Sequence, residues 1–256
     1  MTGTDPTEKL WRDILTGQEP GLLRTRAIFN RIPSDPRCKM CASPFGGAGG
    51  ALVRLLGHSR APRNPMMCWA CARDLKKHPG GAEIDLSVLF ADVRGSTTVA
   101  EHMSATAYKN LLHRFYRLAS EAITTHDGIV DKYLGDGVMA LFIPAFAGED
   151  HASRAVEAAR ALRQTLTAMP EPRLPVGIGV HSGTAFVGVV GAGDDSDFSA
   201  LGDVVNVTAR LGSSAAAGEV LISIATAEAA RVPVETATRR QMELKGRSER
   251  LDTIAL

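Results

Sequence analysis

Aromatic residues are scarce in this sequence, and it has no long apolar run. Phe, Trp and Tyr make up only 5% of the 256 residues, so Leu, Val, Ile and Ala must fill any core. No apolar run approaches the ~18 residues of a membrane-spanning helix, and the longest one, residues 138–147, contains Pro144. The polar start MTGTDPTEKLWRDIL has no signal-peptide core. We therefore expect a cytoplasmic protein with no membrane partner.

Cysteine is absent after residue 71, and the four cysteines of the chain form two Cys-x2-Cys pairs. Cys38 pairs with Cys41 and Cys68 with Cys71, with 26 residues between the pairs. This is the spacing of a four-cysteine structural zinc site, and a cytoplasmic protein does not normally hold such residues as disulfides. An iron–sulfur cluster also takes four thiolates, and free thiols or a redox pair are the remaining alternatives. Since four thiolates leave no open coordination position, the expected role of the metal is structural.

Neither sign of charge dominates the whole chain, whose formal net charge is +1, but its two parts differ. Residues 1–80 contain 13 Lys and Arg against 6 Asp and Glu, whereas the remainder contains 16 against 22. This change predicts a helical, cysteine-containing domain over residues 1–80 and a second domain over 83–256. Regulation is one role that the first domain could serve. We interpret the basic segment as a solvated face. A nucleic acid or an acidic regulatory partner is the alternative.

Apolar periodicity and turn residues predict an α+β protein, because helices and strands alternate without strict βαβ repetition. The helices are predicted within residues 7–31, after Ser104 as N-cap, and over 149–168 and 203–211. The strands are predicted over 84–93, 129–134, 138–143, 176–180 and 185–190, with a final hairpin in 241–256. Residues 43–50, SPFGGAGG, are predicted to form a turn-rich loop.

Two aspartates are placed where strands end. Asp92 directly follows the apolar run LSVLFA, and Asp136 lies in the Gly-Asp-Gly turn of the predicted hairpin. Carboxylates projecting from neighbouring strands make an oxygen site suited to Mg²⁺ or Mn²⁺. Two such ions activate an attacking oxygen and neutralise phosphate charge in phosphoryl transfer. Each aspartate taken alone is better explained as a turn or strand-end residue.

Five strings, in order, connect these aspartates to a known family. They are VLFADVRGST, DKYLGDGVMALF, VGIGVHSGTAFVGVVG, LGDVVNVTARL and ELKGRSERL. Together they resemble the catalytic domain of class III nucleotidyl cyclases, from about Glu83 to Leu256. The resemblance implies a ferredoxin-like βαββαβ domain with extra strands, preceded by a small helical, zinc-binding domain. It also implies conversion of a nucleoside triphosphate to a 3′,5′-cyclic nucleotide and pyrophosphate, a phosphorus–oxygen lyase reaction of signal transduction.

The family pattern also implies roles for single residues. Asp92, Asp136 and the backbone carbonyl of Val93 match the ligands of two Mg²⁺ or Mn²⁺ ions. Lys132, four residues before the second aspartate, and Ser199, seven before the family's asparagine, match the pair that reads the base.

Three further residues match groups that hold the ribose and the phosphates. Asn206 matches the residue that orients the ribose, and Arg210 the one that stabilises charge on the α-phosphate. Lys245 matches a lysine that holds the terminal phosphates. Asn206 and Arg210 are separated by one helical turn, so they share a face and can reach one ligand.

The base-reading pair favours ATP as the substrate. Lys132 can donate a hydrogen bond to adenine N1, and the Ser199 hydroxyl can accept one from the N6 amine. Guanine presents an N1–H donor to the lysine, and burying that mismatch costs ~1–3 kcal/mol. Cytosine has the same hydrogen-bonding edge as adenine, so only pocket size excludes CTP. Many adenylyl cyclases have aspartate where this chain has Ser199, and a serine there resembles the subgroup linked to bicarbonate stimulation.

The resemblance further implies a head-to-tail homodimer, since the family takes its metal aspartates from one subunit and the remaining groups from the other. A cyclase of another base preference and a cyclase-like sensor that binds nucleotide without turnover are the alternatives. A third is an adaptor in which the cysteine segment is the functional centre. His181, in GVHSG, is expected to be structural.

Overall fold

A computed structural model describes residues 5–193, 196–234, 237–243 and 250–256. The helices are α1 Pro6–Leu15, α2 Pro20–Phe29, α3 Gly47–Arg54, α4 Trp69–Lys77, α5 Ser96–Glu101, α6 Ala105–Thr125, α7 Pro144–Ala147, α8 His151–Ala168, α9 Asp203–Ser214 and α10 Ile224–Ala229. The strands are β1 Gly81–Val93, β2 Ile129–Leu134, β3 Gly137–Phe142, β4 Val176–Val190, β5 Asp197–Leu201, β6 Val220–Ser223, β7 Thr238–Met242 and β8 Leu251–Ala255. None of the helices in these ranges is both long and apolar enough to cross a bilayer.

The chain forms two compact units. The first consists of the chain up to Asp85 together with Ile143–Gly148 and Thr184–Leu201. The second consists of Leu86–Phe142, Glu149–Gly183 and Gly202–Leu256. The part of β4 from Thr184 onward and all of β5 therefore belong to the same unit as the four cysteines, although they follow the cysteines by more than 100 positions in the sequence.

The strands form a mixed sheet in the order β2-β3-β1-β4-β6-β8-β7, with β5 paired to β4 off this path. The part β2-β3-β1-β4, with α6 after β1 and α8 after β3, is the ferredoxin-like βαββαβ arrangement. Strand β6 runs parallel to β4, and β8 and β7 follow as an antiparallel pair. The predicted α+β class, the central hairpin and the final hairpin are therefore confirmed.

The helices of the second unit cover the sheet with closely packed small residues. Leu86, Val88 and Leu89 of β1 are fully buried. Ala155, Ala158 and their neighbours form an alanine-rich face on α8, which packs against α6. Ser104 accepts a hydrogen bond from the backbone N–H of Ala107, as expected of the N-cap of α6.

Strand β4 corrects one prediction. The polar sequence His181-Ser182-Gly183 was expected to separate two strands, but β4 is continuous from Val176 to Val190. The hydroxyls of Ser182 and Ser87 share a hydrogen bond of 2.6 Å, and His181 Nδ1 lies 2.7 Å from the hydroxyl of Ser223. Because neighbouring side chains satisfy these polar groups, the strand keeps its extended conformation.

Helix α3 corrects a second prediction. Residues 43–50 were expected to form a loop, but α3 begins at Gly47. A Cβ atom at Gly50 would lie 2.6 Å from the carbonyl carbon of Phe45. Glycine is therefore needed there for close backbone packing, and its presence does not signal a turn.

Candidate active site

The two predicted metal aspartates lie at the same end of neighbouring strands. Asp92 is opposite Gly137 in the β1–β3 register, and the backbone N–H of Val93 donates to the backbone oxygen of Asp136 at 3.2 Å. Gly135 adopts φ +64°, which allows the tight turn that presents Asp136. Both aspartates remain partly exposed. The two aspartates therefore lie close together along the backbone of the β1–β3 pair, at a partly exposed end.

A cation lies beside the first of these carboxylates. The guanidinium of Arg94 forms an ion pair with Asp92 and donates to the backbone oxygen of Ser213. Burial lowers the pKa of Arg94, and the nearby negative charge of Asp136 acts in the opposite direction. The two acids thus create an electrostatic environment that accommodates positive charge. Sequence reasoning missed Arg94, since a residue two positions after Asp92 carries no signal of where its long side chain ends.

Tyrosines support the turn that carries Asp136. Tyr116 on α6 donates to the backbone oxygen of Gly135, and its ring lies 4.7 Å from that of Tyr133. Burial raises the pKa of Tyr116, and the charge of Asp136 raises it further. Tyr108 responds in the same way. These effects locate the Asp136 charge beside α6, at a position fixed by side-chain contacts.

The predicted base-reading residues lie in different units. Lys132 on β2 follows a register shift between Val130 and Lys132, and its ammonium lies 3.5 Å from the buried carboxylate of Asp131. Ser199 is buried on β5, opposite Gly188 of β4.

Asn206 and Arg210 lie one turn apart on α9. The buried side of this helix contains Val204, Val207 and Leu211, while Asn206 is exposed and Arg210 partly buried. Within the described ranges, no hydrogen bond or ion pair joins either residue to Asp92 or Asp136. Lys245 lies outside the described residues.

The four cysteines converge. The sulfur atoms of Cys38, Cys41, Cys68 and Cys71 all lie within 4.8 Å of one another. Backbone N–H groups donate to sulfur within each pair, from Cys41 to Cys38 at 3.5 Å and from Cys71 to Cys68 at 3.4 Å. The N–H of Cys68 also donates to Cys38 across the two pairs, at 3.3 Å. This arrangement suits one tetrahedral metal ion.

The pKa values of the four thiols also favour a bound cation. Hydrogen bonds from Cys38 and Cys68 lower the pKa of Cys41, whereas those involving Cys38 raise the pKa of Cys71. Four thiolates this close together repel one another, so they can coexist only around positive charge. His58 Nδ1 lies 3.3 Å from the Cys68 sulfur, a contact that the spacing of the cysteines did not reveal.

The family model described as Adenylate and Guanylate cyclase catalytic domain matches residues 82–255. Adenylate cyclase 1 of Rhizobium meliloti is 33% identical over 134 residues, which are 50% of this chain and 20% of that protein. An adenylate cyclase of Anabaena cylindrica is 33% identical over 137 residues, 49% of this chain and 26% of that protein. The chain thus spans about a quarter or less of the length of these relatives.

Solved cyclase structures share the fold. The guanylyl cyclase Cya2 is 30% identical, with a TM-score of 0.60 over 69% of this chain and 93% of that one. The adenylyl cyclase CyaB from P. aeruginosa is 28% identical, also with a TM-score of 0.60, over 68% of this chain and 94% of that one. The family model begins at residue 82, after all four cysteines.

Proposed function

Because the chain belongs to the adenylate and guanylate cyclase catalytic-domain family, we propose that it is an adenylyl cyclase that converts ATP to 3′,5′-cyclic AMP and pyrophosphate. The observation that carries this proposal is that Asp92 and Asp136 lie at the same end of β1 and β3, where the Arg94 guanidinium pairs with Asp92 and is also affected by the charge of Asp136. The Arg94 guanidinium shows that the carboxylate oxygens of this site suit a positive charge, as a bound metal ion would require.

Cyclase domains of this family use Mg²⁺ or Mn²⁺, and Asp92, Asp136 and the carbonyl of Val93 would hold two such ions. The ions, when bound, supply Lewis-acid activation of the ribose 3′-oxygen and charge neutralisation on the triphosphate. Arg94 would then exchange its contact with Asp92 for another partner.

The remaining side chains orient ATP and stabilise charge. The 3′-oxygen bonds to the α-phosphorus as its proton passes to solvent, and the bond from that phosphorus to the pyrophosphate oxygen breaks. Asn206 orients the ribose, and Arg210 stabilises the charge that develops on the α-phosphate. Lys245 holds the terminal phosphates. Such a reaction needs positioning and electrostatics, and no covalent intermediate.

Lys132 and Ser199 account for the choice of adenine. The Lys132 ammonium donates to N1, and the Ser199 hydroxyl accepts from the N6 amine. The partial burial of Lys132 and the burial of Ser199 make an unmatched donor costly.

We further propose a head-to-tail homodimer with two equivalent sites. Asn206 and Arg210 have no hydrogen bond or ion pair to Asp92 or Asp136 within the described part of one chain. A second copy can supply the missing half of each site, as a two-fold interface repeats the same contacts twice.

A nucleotide panel tests the activity. The purified chain is incubated with ATP, GTP, CTP or UTP and Mn²⁺, and products are identified by mass spectrometry. We expect cyclic AMP, with GTP turned over at least about fivefold less efficiently, because one buried donor mismatch costs ~1–3 kcal/mol. Asp136→Asn is the matched control, since it keeps the side chain's shape and removes its charge. If cyclic GMP is the main product, the chain is a guanylyl cyclase and the proposal of an adenylyl cyclase is wrong. If nucleotide binds and no product forms, the chain is a nucleotide sensor.

We propose that the cysteine cluster holds one structural Zn²⁺. Elemental analysis should find about one zinc per chain, and Cys68→Ser should lose it because one ligand is removed. Ser43→Ala is a control, since its hydroxyl lies 3.3 Å from the Cys41 sulfur without being a ligand. A brown protein that contains iron and sulfide would contradict zinc in favour of an iron–sulfur cluster.

A further inference from the structure

The cysteine segment and strand β5 belong to one compact unit. Helix α4, which carries Cys71, packs against β5. Strand β5 in turn carries Ser199, the residue proposed to read the N6 edge of adenine. The contacts between these elements therefore bear on how the base is held.

Asp197, two residues before Ser199, is held by two cations from the cysteine segment. Lys76 Nζ lies 2.8 Å from its Oδ1, and an Arg63 guanidinium nitrogen lies 3.1 Å from its Oδ2. Burial pushes the pKa of Asp197 upward, but hydrogen bonds from Lys76 and Arg63 outweigh burial and hold that pKa below its ordinary value. Each carboxylate oxygen thus has its own cation, which fixes the orientation of the side chain.

Both cations are placed by residues next to the metal ligands. Lys76 lies on α4, whose N-cap is Cys68. Arg63 lies in a short loop closed by a hydrogen bond of 2.9 Å from the Ala61 N–H to the Met67 oxygen. This loop ends where Cys68 forms a bridge with Arg60. A metal ion that joins the two cysteine pairs would therefore hold the start of α4 and the end of the loop that carries Arg63.

An aromatic contact reinforces the attachment of β5. The ring of Phe198, beside Ser199, stacks on Trp11 with centroids 6.3 Å apart. Both rings are buried, and the Trp11 indole N–H donates to the oxygen of Pro79 at 3.4 Å. Buried aromatic pairs resist displacement more than half-exposed ion pairs do. Phe198 thus anchors the strand, and Asp197 adds orientation.

We propose that the four-cysteine segment positions the base-reading strand, so that zinc binding sets the affinity and base selectivity of the enzyme through Asp197, Phe198 and Ser199. The proposal rests on the proposed cyclase function, in which Ser199 contacts adenine. Asp197 and Phe198 are positioning residues, because they act on the nucleotide through Ser199.

The first experiment removes the metal from the full chain. Zinc is stripped with a zinc-selective chelator, Mn²⁺ is replenished, and the KM for ATP and the kcat/KM ratio of ATP to CTP are compared with those of zinc-loaded protein. We expect KM for ATP to rise by up to about tenfold, because a displaced Ser199 loses one hydrogen bond to the base. The ATP-to-CTP ratio should fall, because adenine and cytosine share a hydrogen-bonding edge and only the size of the pocket, which the position of β5 helps to set, separates them. Backbone amide exchange of residues 196–201 should accelerate, while that of β2 and β3 stays unchanged.

Variants test the same link without removing metal. Asp197→Asn and Lys76→Gln should each raise KM and lower the ATP-to-CTP ratio. The double variant should be no worse than Asp197→Asn alone, because that substitution already weakens the contact that Lys76→Gln removes. Lys77→Gln is the matched control on the same helix, since Lys77 is not a partner of Asp197. A variant that only destabilises the fold would lower kcat through the active fraction and leave KM and the ratio unchanged.

Unchanged KM and selectivity in the metal-depleted protein and in Asp197→Asn would overturn the proposal, whatever the amide exchange shows. If the wild-type chain turns over no nucleotide, the cyclase function fails on its own. Amide exchange of residues 196–201 then decides the positioning: acceleration on zinc removal supports it, and no change overturns it.

Discussion

Asp92→Ala should slow cyclic AMP formation by more than the ~10²–10³-fold that loss of one electrostatic group costs, because it removes a carboxylate on which both proposed ions depend. Arg210→Ala should fall within that range, since it removes one donor to the α-phosphate. Initial rates with ATP and Mn²⁺ measure both effects. Asp92→Asn is the control for folding, because it keeps a side chain of the same shape beside Arg94.

Mixing the two inactive variants should restore activity. If the chains exchange freely, half of the dimers contain one of each variant, and each of these has one intact site of two. The mixture should therefore recover about a quarter of the wild-type rate. Mixing Asp92→Ala with Asp136→Ala is the matched control and should recover nothing, since both variants damage the same half of the site.

Two outcomes of the mixing experiment would count against shared sites. Recovery in the Asp92→Ala and Asp136→Ala mixture would mean that these aspartates do not come from the same chain. No recovery with Arg210→Ala, in a preparation where subunit exchange is shown by a tag, would mean that each chain builds its site alone.

Much of this arrangement is predictable from the sequence, because it depends on local order. Asp92 follows a buried strand and Asp136 occupies a glycine-flanked turn, so their approach requires only that β1 and β3 pair. The four-cysteine metal site is equally predictable, because the fixed spacing within each pair reflects the local geometry of a metal-binding turn. Strand and turn preferences depend on a few neighbouring residues, so they can be recognised from the sequence alone.

The missed features depend on contacts between distant segments. Strand β4 continues through His181-Ser182-Gly183 because Ser87 and Ser223 supply hydrogen-bond partners from other strands. Arg94 reaches Asp92 only through the direction of a long side chain. Asp197 meets Lys76 more than 100 positions away. No local pattern encodes these contacts, since they exist only after tertiary packing.

Lys132→Glu should shift the base preference from ATP toward GTP. Glutamate accepts hydrogen bonds from the guanine N1–H and 2-amino groups, whereas it leaves adenine N1 without a donor. Ser199 needs no change, because a hydroxyl can accept from the adenine amine or donate to guanine O6. One unmatched buried group costs ~1–3 kcal/mol, so kcat/KM for ATP should fall by about 5- to 150-fold while that for GTP rises.

Two further substitutions separate base reading from simple damage. Lys132→Met removes the donor and adds no acceptor, so kcat/KM for ATP should fall while kcat/KM for GTP does not rise. Lys132→Gln carries a donor and an acceptor, so it should accept both bases with less discrimination. It also avoids the like-charge contact that glutamate would make with Asp131, whose carboxylate lies 3.5 Å from the Lys132 ammonium. If the three variants lose ATP and GTP turnover equally, Lys132 does not read the base, and adenine selection must come from another residue.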